Sequence, residues 1–185
     1  MVKGINTSAK IMMKILEVGH WVAAGLMTAV AVLSVAAPQY LKYVMDVESL
    51  KAEQDISAYG LQVAAANAAG ELSYPTLLLF AIGAVVIFVL MALVFRNLHG
   101  IIQNAETTTP FSAGNICRLK KVGIYSILVP LTGFAVSAII RLVVGTDGAE
   151  VSMDLSGVIM GTIVLCLTQY FIHGAELEKD VDGLL

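Results

Sequence analysis

Apolar residues dominate four stretches of this chain, and polar and charged residues gather between them. Ile15 to Ala37, Leu77 to Phe95, Val122 to Val144 and Leu155 to Ile172 are each nearly free of charge. As α-helices the first two are roughly 34 Å and 28 Å long, and about 30 Å crosses the hydrocarbon of a bilayer. The pattern predicts an all-α integral membrane four-helix bundle, one transmembrane domain over residues 1–185. The second run does not stop cleanly at its polar end. Arg96, Leu98, Ile101 and Ile102 keep helical spacing up to Asn104. Beyond the turn at Thr107-Thr108-Thr109-Pro110, Ile116, Leu119 and Val122 resume it. A cytoplasmic helical hairpin should therefore extend past the membrane. Pro110 marks the reversal and Ser112 is placed to cap the returning helix.

The connecting segments are less regular. Residues 38–75 carry five acids against Lys42 and Lys51. Within them Leu41, Val44, Met45, Val47 and Leu50 read as a short amphipathic helix, and Ala64 to Ala69 as a further helical turn or two. Residues 145–154 read as a short acidic loop. The segment from His173 to Leu185 holds Glu176, Glu178, Asp180 and Asp182 against Lys179, and reads as an amphipathic extension of the fourth helix. Gly25 with Ala29, and Gly157 with Gly161, offer small-residue faces for close helix contact. Pro130 interrupts the hydrogen-bond ladder of the third span, which neighbouring helices can absorb in a membrane.

The stretch Pro110-Phe111, Asn115, Arg118-Leu119 and Gly123 resembles the signature of a family of small bacterial four-span membrane proteins, catalogued as a domain of unknown function. The layout is similar too: a long first loop, a basic hairpin and an acidic tail. Many relatives end in Asp-Leu-Thr-Val, where this chain has Asp182-Gly183-Leu184-Leu185. The resemblance implies no catalysis. Members are often encoded beside a small helix-turn-helix regulator, which implies a regulatory role.

Composition sharpens the class. The 185 residues are 58% hydrophobic and only 14% charged, with mean hydropathy +0.84; soluble domains carry about 25% charge. A net charge of −3 gives no global case for nucleic-acid binding. The first apolar run is too long for a signal-peptide core and reads as a retained span. Cys117 and Cys166 fall at a membrane surface and inside a span, with no metal or redox spacing. Seven Lys and Arg residues flank one side (Lys3, Lys10, Lys14, Arg96, Arg118, Lys120, Lys121) and two flank the other. The positive-inside rule then places both termini in the cytoplasm of a bacterium, with the chain multi-pass in its inner membrane.

Candidate chemistry is sparse, and no enzyme activity, cofactor or metal is expected. His20, His99 and His173 all lie towards the basic side, and two of them could in principle ligate haem or a metal; the simpler reading places them at headgroup depth. Glu17 and His20 share a helix face inside the first span, as a proton relay or a polar contact with another span. Arg141, near the far end of the third span, is expected to snorkel outward or pair with a loop acid. The working surface is expected to be Phe111, Asn115, Arg118, Leu119 and Lys120 on the hairpin with Glu176 and Asp180 on the tail. Phe111 and Leu119 should meet Val181 or Leu184 while the charges pair. The basic cluster fits lipid headgroups better than nucleic acid. Besides the bilayer, the expected partner is a cytoplasmic or membrane protein, or a second copy of this chain. The function read from these features is regulatory or scaffolding. Its rivals are a small transporter using the bundle interior and a haem- or metal-bearing electron carrier.

Overall fold

The computed structural model describes residues 2–44, 55–64, 73–104, 109–145, 149–152 and 154–182. Among these, five helices and three short strands follow in the order α1 (Val2–Ala36), α2 (Pro38–Val44), β1 (Asp55–Ala58), β2 (Leu61–Ala64), α3 (Tyr74–Asn104), α4 (Ala113–Val144), β3 (Ala149–Glu150) and α5 (Leu155–Asp182). The fold is all-α in class, and α1, α3, α4 and α5 are each long and apolar enough to cross a membrane. Two compact units emerge from the internal contacts. One comprises Met1–His20, Leu90–Leu128 and Ser156–Leu185; the other comprises Trp21–Val89 and Val129–Leu155.

All four long helices outrun the apolar stretches that predict them. Helix α3 continues nine residues past Phe95, and α4 begins nine residues before Val122. The ends are set by local chemistry. Pro38 opens α2 at a position where its missing N–H is no loss. The Ser73 carbonyl accepts from Leu77 N–H at 3.0 Å, and the Ser73 hydroxyl meets that of Thr76 at 2.7 Å. The Ser112 carbonyl accepts from Asn115 and Ile116, as an N-cap residue does. Gly145 closes α4 with φ of 112° and donates to the Arg141 carbonyl.

Side-chain exposure shows the membrane character. Along the middle of α1 the buried and half-buried positions return every three to four residues, at Met13, Leu16 with Glu17, His20, Ala23 with Ala24, Met27, Val30 with Ala31, and Leu33 with Ser34. The opposite face of α1 leaves Ile15, Val22, Leu26 and Val35 more than half exposed. Bare apolar faces of that size belong in lipid rather than water. Helix α3 is the most enclosed, with Leu77, Ala81, Ala84, Ile87 and Ala92 essentially inaccessible. Four hydroxyls within the spans turn back on their own helices: Thr28, Ser34, Thr162 and Thr168 each donate to the carbonyl four residues earlier at 2.8 Å.

The small sheet is what the sequence reading did not anticipate. In the second unit β1 and β2 pair antiparallel with Ala58 opposite Leu61, and β3 adds to β2 with Val63 opposite Ala149. Tyr59 and Gly60 form the two-residue turn, both at positive φ (50° and 85°), the combination whose twist suits a tight hairpin. Leu61 and Val63 are buried and Gln62 is exposed, the period of two expected of a strand. The helical turn expected over Ala64 to Ala69 is corrected at its first residue, because Ala64 ends β2; the rest lies outside the described residues. The loop read at 145–154 likewise contains β3. The amphipathic helix expected through Leu50 is seen as α2 up to Val44, and Met45 to Leu50 lie outside the described residues. Leu41 of α2 packs with Leu77, Val30 and Leu33.

The hairpin reaches well along α3 and α4. A side-chain carbon at Gly83 would lie 3.2 Å from Leu61 and 2.8 Å from Val136, and one at Gly133 would lie 3.6 Å from the Leu61 backbone. Tyr59 meets Phe88 edge-on at 6.1 Å between ring centroids. Gly83 is about nine residues into α3, or ~14 Å along its axis. Glycine at 83 leaves room for Val136 and Leu61, while at Gly133 the hairpin backbone comes to ordinary van der Waals distance.

Candidate functional site

The polar end of the first unit gathers most of the residues singled out from the sequence. Here α3 and α4 run antiparallel, held at the tip by two asparagines. Asn104 donates to the Asn115 side-chain oxygen at 3.2 Å, and the Asn115 amide points to the Thr109 and Pro110 carbonyls at 3.4 and 3.5 Å. Asn115 is buried at 2% exposure. Its role is to tie the turn to both helices, because a buried amide left without partners costs about 1–3 kcal/mol.

Phe111 leaves this turn and packs on α5. Its ring meets Phe171 edge-on at 5.5 Å. A side-chain carbon at Gly174 would lie 2.6 Å from the Phe111 ring, so the ring occupies the space that glycine leaves open. This contact falls earlier on α5 than the expected meeting with Val181 or Leu184. Val181 nevertheless lines the same groove, a space of about 490 Å³ bounded by Thr109, Pro110, Phe111, Gly174, Leu177, Glu178 and Val181. Leu184 lies outside the described residues. Leu177 and Val181 are 66% and 58% exposed, on the part of α5 beyond its apolar run.

The expected charge pairing between hairpin and tail is not what the side chains do. Glu176 accepts from His173 on its own helix at 3.1 Å, and both are exposed. Lys120, Glu178 and Asp180 make no ion pair among the described residues. Leu119 is half-buried. The span residues also turn inward on their own helix. Glu17, buried at 7%, pairs with Lys14 at 3.0 Å. The His20 ring nitrogen Nδ1 donates to the Leu16 carbonyl at 2.7 Å, and its ring lies 5.1 Å from that of Phe95. His99 is half-buried on α3. No group of three or more metal-ligating side chains occurs among the described residues. Arg141 is exposed, and Cys117 and Cys166 are free and exposed.

Small-residue contacts were only half legible. Gly161 does make the close approach its motif foretells, and its partner is α4. A side-chain carbon at Gly161 would lie 2.7 Å from the Gly123 carbonyl oxygen and 2.5 Å from Ile127. Gly25, in the other unit, has nothing within 4 Å of where a side chain would begin. The close packing expected at Gly25 and Ala29 is therefore not made among the described residues; both positions are exposed.

A second cavity lies between α3 and α4, about 300 Å³ in volume, lined by Leu93, Arg96, Asn97, Arg118, Lys121 and Tyr125. Three cations and no acid form its wall. Arg118 lies across Gly100, its guanidinium where any larger side chain would stand.

These features define a multi-pass α-helical membrane protein with an apolar groove and a basic pocket at one polar end. No family model, curated protein or solved structure matches the chain.

Proposed function

We propose that this chain is a regulatory or scaffolding protein of a bacterial inner membrane, without catalysis, that docks a protein partner through its hairpin and tail. The reading keeps the resemblance of the Pro110 to Gly123 motif to the four-span family, and it takes both termini as cytoplasmic from the distribution of Lys and Arg. The observation that carries it is the groove beside Phe111. Leu177 and Val181 stand exposed past the apolar run of α5, where water rather than lipid would otherwise meet them. Glu176, Glu178 and Asp180 flank the same stretch. An amphipathic helix with an apolar face and a basic edge fits that combination.

Orientation is tested with single cysteines in a variant lacking Cys117 and Cys166. In intact spheroplasts an impermeant maleimide should label Tyr40→Cys and spare His173→Cys. Labelling of both from outside removes the four-span, termini-inside arrangement.

Docking is tested with the full chain recovered in mild detergent. Leu177→Lys should lower retention of one specific polypeptide about tenfold, since a central apolar contact carries more than about 1 kcal/mol. Thermal stability should stay unchanged, because Leu177 is exposed. The purified polypeptide must then bind wild type through a basic amphipathic helix. If nothing is lost with Leu177→Lys, the groove has no protein partner; if the lost species is this same chain, the partner is a second copy.

A further inference from the structure

The basic pocket between α3 and α4 is independent of the Phe111 groove. Arg96 and Asn97 come from α3, and Arg118, Lys121 and Tyr125 from α4, with Leu93 at its apolar side. Like charges brought together repel, and nothing in the cavity wall compensates them. The ion pairs described in the structure, Lys14 with Glu17 and His173 with Glu176, involve none of the three. The hairpin nevertheless holds them together, and Gly100 makes this possible. A side-chain carbon at that position would lie 3.3 Å from Arg118 Nε and closer still to its Cζ and Nη1. Arg118 thus lies over Gly100 on α3, one helical turn beyond Arg96, in the same cavity wall.

The position is as informative as the charge. Arg96 directly follows the apolar run of α3, and Lys121 directly precedes that of α4. The pocket sits where hydrocarbon gives way to headgroups, with Leu93 and Tyr125 on its apolar side. Arginine offers a planar fork of donors that matches phosphate oxygens, and lysine adds a mobile point charge. Basic pockets between spans are known to take anionic headgroups.

We propose that this pocket binds a phosphate-class anion, supplied by the headgroup of an anionic phospholipid. Arg118 and Arg96 grip the phosphate, Lys121 closes over it, and Leu93 and Tyr125 face the start of the acyl chains.

The test is native mass spectrometry and thermal unfolding of the full chain in mild detergent, with phosphatidylglycerol, phosphatidylcholine or inorganic phosphate added. Wild type should retain phosphatidylglycerol about tenfold better than phosphatidylcholine. Lys179→Gln, which removes the same charge from α5, should keep that preference. Arg118→Gln and Lys121→Gln should lose it. Gly100→Leu should lose it as well, although it changes no charge, because it expels the Arg118 guanidinium. Should Arg118→Gln fail to fold, exposed Lys121 carries the comparison. Equal retention of the two lipids, or a loss with Lys179→Gln as large as with Lys121→Gln, overturns the site. Stabilisation by inorganic phosphate as strong as by phosphatidylglycerol, abolished in Lys121→Gln, overturns the lipid source and assigns a soluble phosphate.

Discussion

Leu61→Ala should destabilise the protein by about 2–5 kcal/mol, the usual cost of deleting a large buried side chain. Leu61 is fully buried, and it reaches Gly83 on α3 while its backbone lies against Gly133 on α4. In a membrane, apolar association gains little from the hydrophobic effect, so close packing must supply the stability. The leucine side chain packs beside Gly83, where a larger residue would crowd it. Gln62→Ala, on the exposed face of the same strand, should stay within about 0.5 kcal/mol of wild type. Thermal unfolding of both variants in micelles makes the comparison. If they behave alike, β2 does not pack between those glycines and the small sheet contributes nothing to stability.

Gly161→Leu should have a comparable effect, about 3 kcal/mol or more, by the opposite route of overpacking. The first carbon added at Gly161 would meet the Gly123 carbonyl oxygen at 2.7 Å. A flexible side chain could move aside, but this obstacle is backbone. Gly123 faces the same limit, with the Gly161 oxygen 3.1 Å from its own added carbon. The two helices must therefore separate, and the Leu165 and Ile127 contacts around them loosen together. Gly25→Leu is the control, because a side chain there meets open space. A Gly161→Leu variant as stable as Gly25→Leu would show that α4 and α5 do not pack through this glycine pair.

These two substitutions mark where sequence reading stops. The Gly157 and Gly161 spacing announces a close contact, and the Gly25 and Ala29 spacing announces one equally well. Among the described residues only the first pair is used, at Gly161. A small residue reports that a neighbour can come near, and it carries no information about whether one does. The hairpin shows the same limit from another side. Ala58-Tyr59-Gly60-Leu61 lacks the Asn-Gly or Asp-Gly signal of a tight turn, and the alanines after Val63 favour helix locally. At Ala64, the last residue of β2, the pairing and packing of Leu61 and Val63 in the second unit override that preference. Phe111 was legible as an anchor but its seat was not, because Gly174 lies some sixty residues further along the chain.

The four spans, the helical hairpin beyond them and the all-α class follow from the sequence alone, since transfer of an apolar run into hydrocarbon sums over neighbouring residues and needs no knowledge of the fold. The charge asymmetry that gives the proposed orientation is additive in the same way. Tertiary structure decided which of several available partners each side chain takes. It left Glu17 with Lys14 and Glu176 with His173 instead of with other helices. It seated the Phe111 ring over Gly174, folded β1, β2 and β3 into one sheet, and laid Arg118 over Gly100 to make a basic pocket. Both glycine seats need a side chain from one element to meet the space left by a missing one on another. No local window of sequence contains both.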